Sequence, residues 1–229
     1  MKTLKKQGTF SYETSMKRRA FLGYVGATAS VVAIAAACKK DGNNGGSNGG
    51  IDLGSGDIGI LNYAYALEQL EAAFYIQVIT TQYSGATSDE ISLLTDIRDH
   101  EIAHREFFKA ALSTSAIPGL EVNFTAIDFS SRDSVLGTAK AFEDLGVSAY
   151  NGAGQLLTNP DYLVVAGKIV SVEARHAAYI RDLLSYGSFA DSTAVDANGL
   201  DLQQPPNAVL MAASPFLTSK LDASHLPTT

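Results

Sequence analysis

The strongest constraint on this chain is a single carboxylate in the middle of each of four apolar helical stripes. After residue 57, apolar side chains recur every three or four positions in four segments of about 25 residues, which is the spacing of one buried helix face. A charge buried on such a face without a partner is costly, so the four helices must pack around something positive. The four carboxylates are those of Glu68, Glu101, Glu143 and Glu173.

Turn-forming residues separate the four segments and set their approximate ends. The second segment is predicted to begin behind Ser88 as its N-cap, with Asp89 and Glu90 placing acids in the first turn. Because Ile91 stands three residues after Ser88, we expect an incomplete capping box there. The separating residues are Ser84-Gly85, Pro118-Gly119, Asn159-Pro160 and Gly187.

Two histidines accompany the carboxylates at a spacing that favours metal binding. His104 follows Glu101 by three residues and therefore projects from the same helix face. Glu173 and His176 repeat this spacing. No Lys or Arg lies on the four stripes, and two divalent cations would balance four carboxylates, with neutral imidazoles completing the ligand shells. Arginines on flanking faces leave internal salt bridges open as the alternative: Arg98, Arg105, Arg175 and Arg181.

The sequence also contains an internal repeat. Glu68 aligns with Glu143, and a Glu-x-x-His pair follows 33 and 30 residues later, respectively. In the same alignment Tyr75 falls on Tyr150. This pattern predicts two helix hairpins related by duplication. The connection over residues 113–129 is long enough to run the length of a bundle, which predicts an up-down-down-up arrangement with one long crossover.

The order Glu, Glu-x-x-His, Glu, Glu-x-x-His on four successive helices resembles the ferritin-like superfamily of carboxylate-bridged dimetal proteins. The resemblance covers residues 57–186 and is most pronounced to the exported group that includes desiccation-related proteins. It implies an all-α, ferritin-like four-helix bundle that binds two iron or two manganese ions. By position it implies that Glu101 and Glu173 bridge the ions. The implied metal ligands are Glu68, Glu101, His104, Glu143, Glu173 and His176.

Further residues are expected beside these ligands. Glu71 competes with Glu68 for the ligand position on the first helix, because Glu71 also lies on an apolar stripe. The tyrosine seven residues after Glu68 matches the second half of the repeat and favours Glu68. A tyrosine on an apolar face also fits an ordinary core position with a satisfied hydroxyl. The expected neighbours of the ligands are Glu71, Tyr75, Tyr150 and His100.

A competing motif overlaps the second helix. Residues 100–104 read His-Glu-Ile-Ala-His, which matches the H-E-x-x-H pattern of zinc metalloproteases. That interpretation requires a third zinc ligand and leaves the pair Glu173 and His176 unexplained. It remains the minor alternative, and His100 is expected to be exposed or adjacent to a ligand.

The N-terminal residues read as an export signal and a linker. In residues 1–37, basic side chains precede a run of small apolar residues, as in signal peptides, and Arg18-Arg19 resembles a twin-arginine signal. The residues before Cys38 resemble a lipoprotein cleavage box, so we expect lipidation of Cys38. Residues 38–56 form a predicted flexible Gly/Asn/Ser tether. We therefore expect an exported periplasmic or cell-envelope lipoprotein that is held at a membrane by a lipid.

Charge and cysteine content exclude several classes of protein. With 24 acidic and 17 basic residues the chain has a formal charge of −7, which argues against a nucleic-acid partner. Cys38 is the only cysteine, so a disulfide within the chain and a cysteine-rich metal site are excluded. Residues 187–229 carry no recognisable chemistry and are expected to pack over the bundle as a short fifth element.

Three functional classes stay open from the sequence. An iron pair would favour oxidation of Fe(II) by oxygen or peroxide, and a manganese pair could disproportionate peroxide. The second class is a metal-binding stress or desiccation-related protein without turnover. The third is a structural module whose polar core holds no metal. Assembly into a homo-oligomer also stays open.

Overall fold

The computed structural model describes residues 49–228, so the predicted signal peptide and Cys38 lie outside the described residues. Four long helices dominate this part of the chain: α1 (Gly56–Thr81), α2 (Ser88–Leu112), α3 (Arg132–Gly154) and α4 (Pro160–Leu184). The prediction of an all-α, ferritin-like bundle is confirmed.

The helices pack as two hairpins joined by a long crossover. α1 lies along α2, α3 lies along α4, and α1 also contacts α3. The crossover begins beside the first part of α1, where Asn62 donates to the carbonyl of Ser115 (3.0 Å). It ends beyond the last part of α1, where the amide of Ser84 donates to the carbonyl of Ser130 (3.1 Å). The crossover therefore runs the length of the bundle and returns the chain to the end at which α2 began.

The crossover makes α1 buried on all sides over much of its length. Every residue from Gly59 to Ala72 is buried, because the crossover covers the side that would otherwise face water. Gln69 serves this contact: its side-chain oxygen accepts from the amide of Leu120 at 2.8 Å. α1 is therefore the central helix of the bundle rather than a helix with one apolar stripe.

The start of α2 differs from the sequence prediction by one residue. Thr87, not Ser88, is the N-cap, and its extended backbone lets the hydroxyl accept from the amide of Glu90 at 3.2 Å. The carboxylate of Glu90 accepts in return from the amide of Thr87 at 3.0 Å. The capping box is therefore complete, and the predicted Ser88 cap was wrong.

The folded part begins before the predicted end of the tether at residue 56. β1 (Ile51–Asp52) pairs in parallel with β2 (Leu221–Asp222), and Leu53 is completely buried. Burial of this leucine and the pairing with β2 fix residues that the Gly/Asn/Ser composition had assigned to a flexible linker.

The C-terminal segment packs on the second hairpin through α5 (Pro206–Ala213), which contacts α3. At Gly152 a Cβ atom would lie 1.8 Å from the carbonyl oxygen of Gln204, so only glycine permits this approach. The buried guanidinium of Arg181 donates to both carboxylate oxygens of Asp144 at 2.6 and 2.8 Å. Within residues 49–228, no helix is long and apolar enough to cross a membrane.

Candidate metal centre

All six residues predicted as ligands meet in the middle of the bundle. Each of the four long helices contributes one glutamate, and all four of these glutamates are completely buried. His176 is buried as well, whereas the side chain of His104 keeps 13% exposure. The six residues form two groups of four, and in each group one ligand atom per residue lies within 4.8 Å of all the others. The first group is Glu68, Glu101, His104 and Glu173, and the second is Glu101, Glu143, Glu173 and His176.

The two groups share Glu101 and Glu173. These two carboxylates come from the paired helices α2 and α4 and belong to both sets of four. The histidines lie at opposite sides of them: His104 Nδ1 is 3.0 Å from Glu173 Oε1, and His176 Nδ1 is 2.9 Å from Glu101 Oε1. The arrangement offers two adjacent positions for cations, with the shared carboxylates between them.

The inward atoms of the six residues are buried and lack hydrogen-bond partners within the described part of the chain. Both carboxylate oxygens of Glu101 and of Glu173 are in this state, and so is Nδ1 of each histidine. Glu68 and Glu143 each leave one oxygen without a partner. Buried polar atoms are almost always hydrogen-bonded in folded proteins, and eight exceptions at one place are compatible with a site for a cation.

Two tyrosines occupy the remaining oxygens of Glu68 and Glu143. Tyr75 of α1 donates to Glu143 Oε1 of α3 at 2.5 Å, and Tyr150 of α3 donates to Glu68 Oε1 of α1. Each tyrosine thus fixes the single glutamate of the other half of the repeat. Because one oxygen is used in this way, Glu68 and Glu143 each present one free oxygen inward, whereas Glu101 and Glu173 present two.

The charges in this pocket are strongly perturbed. Desolvation raises the pKa of Glu68 to about 7, despite contact with His104. Desolvation also raises the pKa values of Glu143 and Glu173. Burial opposes ionisation of Glu101 too, but contacts with both histidines outweigh it and lower the pKa of Glu101 to about 2.

The histidines respond in the opposite direction. Burial disfavours the imidazolium form of His176, but the carboxylates of Glu143 and Glu101 outweigh it and raise the pKa to about 11. The pKa of His104 is raised for the same reason by Glu101, Glu173 and Glu68, which outweigh its desolvation. Without cations, protons therefore supply the positive charge that the buried carboxylates require.

Glu71 is a fifth buried carboxylate, but it belongs to neither group of four. Of the two rivals on α1, Glu68 is therefore the one that meets the other ligands. Glu71 lies beside Glu173 near Gly146, where a Cβ atom would stand 3.1 Å from Glu71 Oε1 and 3.2 Å from Glu173 Oε2. Burial raises the pKa of Glu71 well above its usual range, and the charge of Glu173 adds to this effect.

The space at Gly146 was not identified from the sequence. A usable signal exists in the repeat, because Gly146 stands three residues after Glu143, where the first half has Glu71 three residues after Glu68. The missing side chain on α3 leaves room for the additional carboxylate on α1.

His100 lies at the outer side of the pocket rather than among the ligands. Its Nδ1 is 2.9 Å from His176 Nε2, and the two ring planes are nearly parallel, with an angle of 7° between them. Within residues 49–228, neither group of potential ligands includes His100. The zinc-protease interpretation requires His100 and His104 on one ion, and the geometry does not support it.

The donor set consists of carboxylate oxygens and imidazole nitrogens, which suit iron and manganese. No curated protein sequence matches this chain. A profile of the ferritin-like domain matches residues 56–186, which include α1 to α4 and all six residues of the pocket. The chain therefore belongs to the ferritin-like domain family.

Proposed function

We propose that this protein binds a dinuclear iron or manganese centre and uses it to consume oxygen or peroxide in protection against stress. The single observation that carries the proposal is the set of eight inward-facing ligand atoms that are buried without hydrogen-bond partners in the described chain. Two divalent ions would supply four positive charges to the four carboxylates, and the imidazoles would bind in their neutral form.

The contacts of each residue support a division of roles. Glu101 and Glu173 would bridge the two ions, because both oxygens of each are free and both residues belong to the two groups of four. Glu68 and His104 would complete one position. Glu143 and His176 would complete the other position.

The protein's contribution is to orient these ligands and to keep water out. Tyr75 and Tyr150 hold the terminal glutamates through hydrogen bonds from opposite helices, so that one oxygen of each is left for a cation. A pair of Fe(II) ions bound here would supply the two electrons that reduce one peroxide to two waters, with two protons taken up. The buried side chains around the pocket limit the access of larger reductants and substrates.

Metal content tests the proposal directly. After anaerobic incubation with excess Fe(II) or Mn(II) and gel filtration, we expect about two ions per chain. Glu101→Gln removes a shared carboxylate and should lower this number sharply. The matched control is Glu106→Gln, which alters an exposed glutamate on the same helix. Retention of no metal by the wild-type protein would reject the proposal and favour a structural module with an ion-paired core.

Consumption of oxidant separates an enzyme from a metal-binding protein. Metal-loaded protein mixed with peroxide or oxygen should deplete the oxidant in repeated cycles when a reductant is supplied. Metal binding without depletion would favour a non-catalytic stress or desiccation-related protein, which is the second candidate function.

We further propose that the protein is exported and lipidated at Cys38. The support is the order of basic residues, Arg18-Arg19, an apolar run and the cleavage-box pattern in the sequence. Full-length protein expressed in a bacterium should incorporate labelled fatty acid and fractionate with the envelope, and Cys38→Ser should abolish the label. Cytosolic, unlabelled wild-type protein would contradict this proposal.

A further inference from the structure

The two halves of the bundle repeat most features of the pocket, but they differ outside the six ligands. The residue before the Glu-x-x-His pair is His100 in the first half and Val172 in the second. Three residues after the terminal glutamate stand Glu71 in the first half and Gly146 in the second. The first difference places an additional polar group beside His176, and the second places a carboxyl group beside Glu173, which both groups of ligands share.

The contact between His100 and His176 determines which nitrogen of His176 carries a proton. His176 Nδ1 points to Glu101 and Glu143 at 2.9 and 3.3 Å, so this nitrogen is the one available to a cation. A neutral imidazole that offers the Nδ1 lone pair must carry its proton on Nε2. His100 Nδ1 lies 2.9 Å from that nitrogen, and with its own proton on Nε2 it would accept this proton in a hydrogen bond.

His104 lacks a corresponding contact. Its Nδ1 also points to carboxylates, with Glu173 at 3.0 Å. Within residues 49–228, no side chain forms a hydrogen bond with the outer nitrogen of His104, since the equivalent residue in the repeat is a valine. The ring of His104 is also more exposed than that of His176, with 13% against 6% for the side chains.

From these contacts we propose that His100 is a positioning residue that fixes the ring of His176, so that the two metal positions are unequal and the position of Glu143 and His176 fills first. This inference rests on the proposed dinuclear centre. Groups that orient a ligating imidazole typically change metal affinity ten- to a hundredfold, which sets the expected difference between the positions.

Titration of metal-free protein with Mn(II), followed by electron paramagnetic resonance, distinguishes the two positions. The first equivalent should give the six-line signal of an isolated ion, and the second should replace it with the broad signal of a coupled pair. His176→Ala should abolish the tight first step, whereas His104→Ala should retain it and lose the second. Equal losses in the two variants, or binding of both ions in one step, would overturn the inference.

Variants of His100 test its role separately. His100→Ala should weaken the first step about ten- to a hundredfold and leave the second step unchanged. His100→Gln, which keeps an acceptor atom, should restore much of the loss, and the surface variant Glu106→Gln serves as control. Because His100 is exposed, we expect the metal-free melting temperature of His100→Ala to match that of the wild type.

Two negative results have different meanings. If wild-type protein binds no Mn(II) or Fe(II), the proposed dinuclear centre fails. If it binds two ions and His100→Ala has no effect on either step, the centre stands and the inference about His100 is wrong.

Discussion

Replacement of Glu173 by glutamine should affect the metal-free and the metal-loaded protein in opposite directions. The glutamine keeps the shape of the side chain but removes a charge that both groups of ligands share. In the metal-free protein, burial of this carboxylate among the other acids is unfavourable, and in the proposed metal-loaded protein it would be shared by the two ions. A single substitution therefore tests whether the pocket evolved for cations or for internal ion pairs.

The magnitude in the metal-free protein follows from the geometry. The ligand oxygens of Glu101 and Glu173 lie within 4.8 Å of each other, and two charges at that distance repel by about 3.5 kcal/mol at an effective dielectric constant of about 20. Protonation relieves part of this repulsion. We therefore expect Glu173→Gln to stabilise the metal-free protein by about 1–2 kcal/mol at pH 7, which raises its melting temperature by about 2–8 °C. The substitution does not leave His104 without acidic neighbours, because its Nδ1 also lies 3.4 Å from Glu68 Oε2 and 3.5 Å from Glu101 Oε2.

The loaded protein should show the reverse. A ligand at one hundred times its dissociation constant stabilises the fold by about 2.7 kcal/mol. If Glu173→Gln weakens metal binding a hundredfold, the stabilisation of the fold by metal at the same concentration falls to about 0.4 kcal/mol. Differential scanning fluorimetry with EDTA and with Mn(II) measures both effects, and Glu106→Gln should match the wild type in each condition.

One result would refute this reasoning. If Glu173→Gln lowers the metal-free melting temperature by several degrees and leaves the metal-induced shift unchanged, the glutamate acts as the partner of His104 in a buried ion pair. The pocket would then be a structural polar core.

Three further predictions concern proton binding and close packing. The folded, metal-free protein holds protons on Glu68 up to about pH 7 and on His176 up to about pH 11, above the ordinary values of 4.5 and 6.5. Its free energy of unfolding by urea should therefore fall as pH rises from 5 to 9, by up to about 1.4 kcal/mol per pH unit for each retained proton, and bound Mn(II) should flatten this slope. Gly146→Ala forces the carboxylates of Glu71 and Glu173 to shift, so isothermal titration should show weaker Mn(II) binding. The free energy of unfolding in urea should change by less than about 1 kcal/mol, because alanine favours the helix. Unchanged Mn(II) affinity would contradict the close contact at Gly146. Gly152→Ala places a Cβ atom against the carbonyl of Gln204 and should displace the C-terminal segment. Limited proteolysis should then cut this segment faster than in the wild type, while two metal ions remain bound. Equal cleavage rates in the two proteins would contradict the packing.

Much of the ligand pattern could be predicted from the sequence because it depends on helix periodicity. The Glu-x-x-His pairs lie on one face of a helix in any fold that keeps those helices, and the duplicated spacing relates the two halves. The N-cap of α2 was harder to predict from the sequence, because Thr87 and Ser88 are both good capping residues and only the backbone conformation selects Thr87.

The local composition of the linker gave no sign of order. Residues 51–53 look like part of a Gly/Asn/Ser stretch, but they pair with β2 and bury Leu53. Such pairing joins segments about 170 residues apart, and no local pattern encodes it.

The sequence by itself determined the four helices, their mid-helix carboxylates and the histidines three residues away, because a helix repeats every 3.6 residues regardless of its neighbours. Only the tertiary structure decided which atoms face the pocket without partners and which glutamates lose one oxygen to a tyrosine. It also decided that Glu71 occupies the space beside Gly146 and that His100 contacts His176. These contacts join different helices, and their distances depend on how the side chains of the whole bundle pack together.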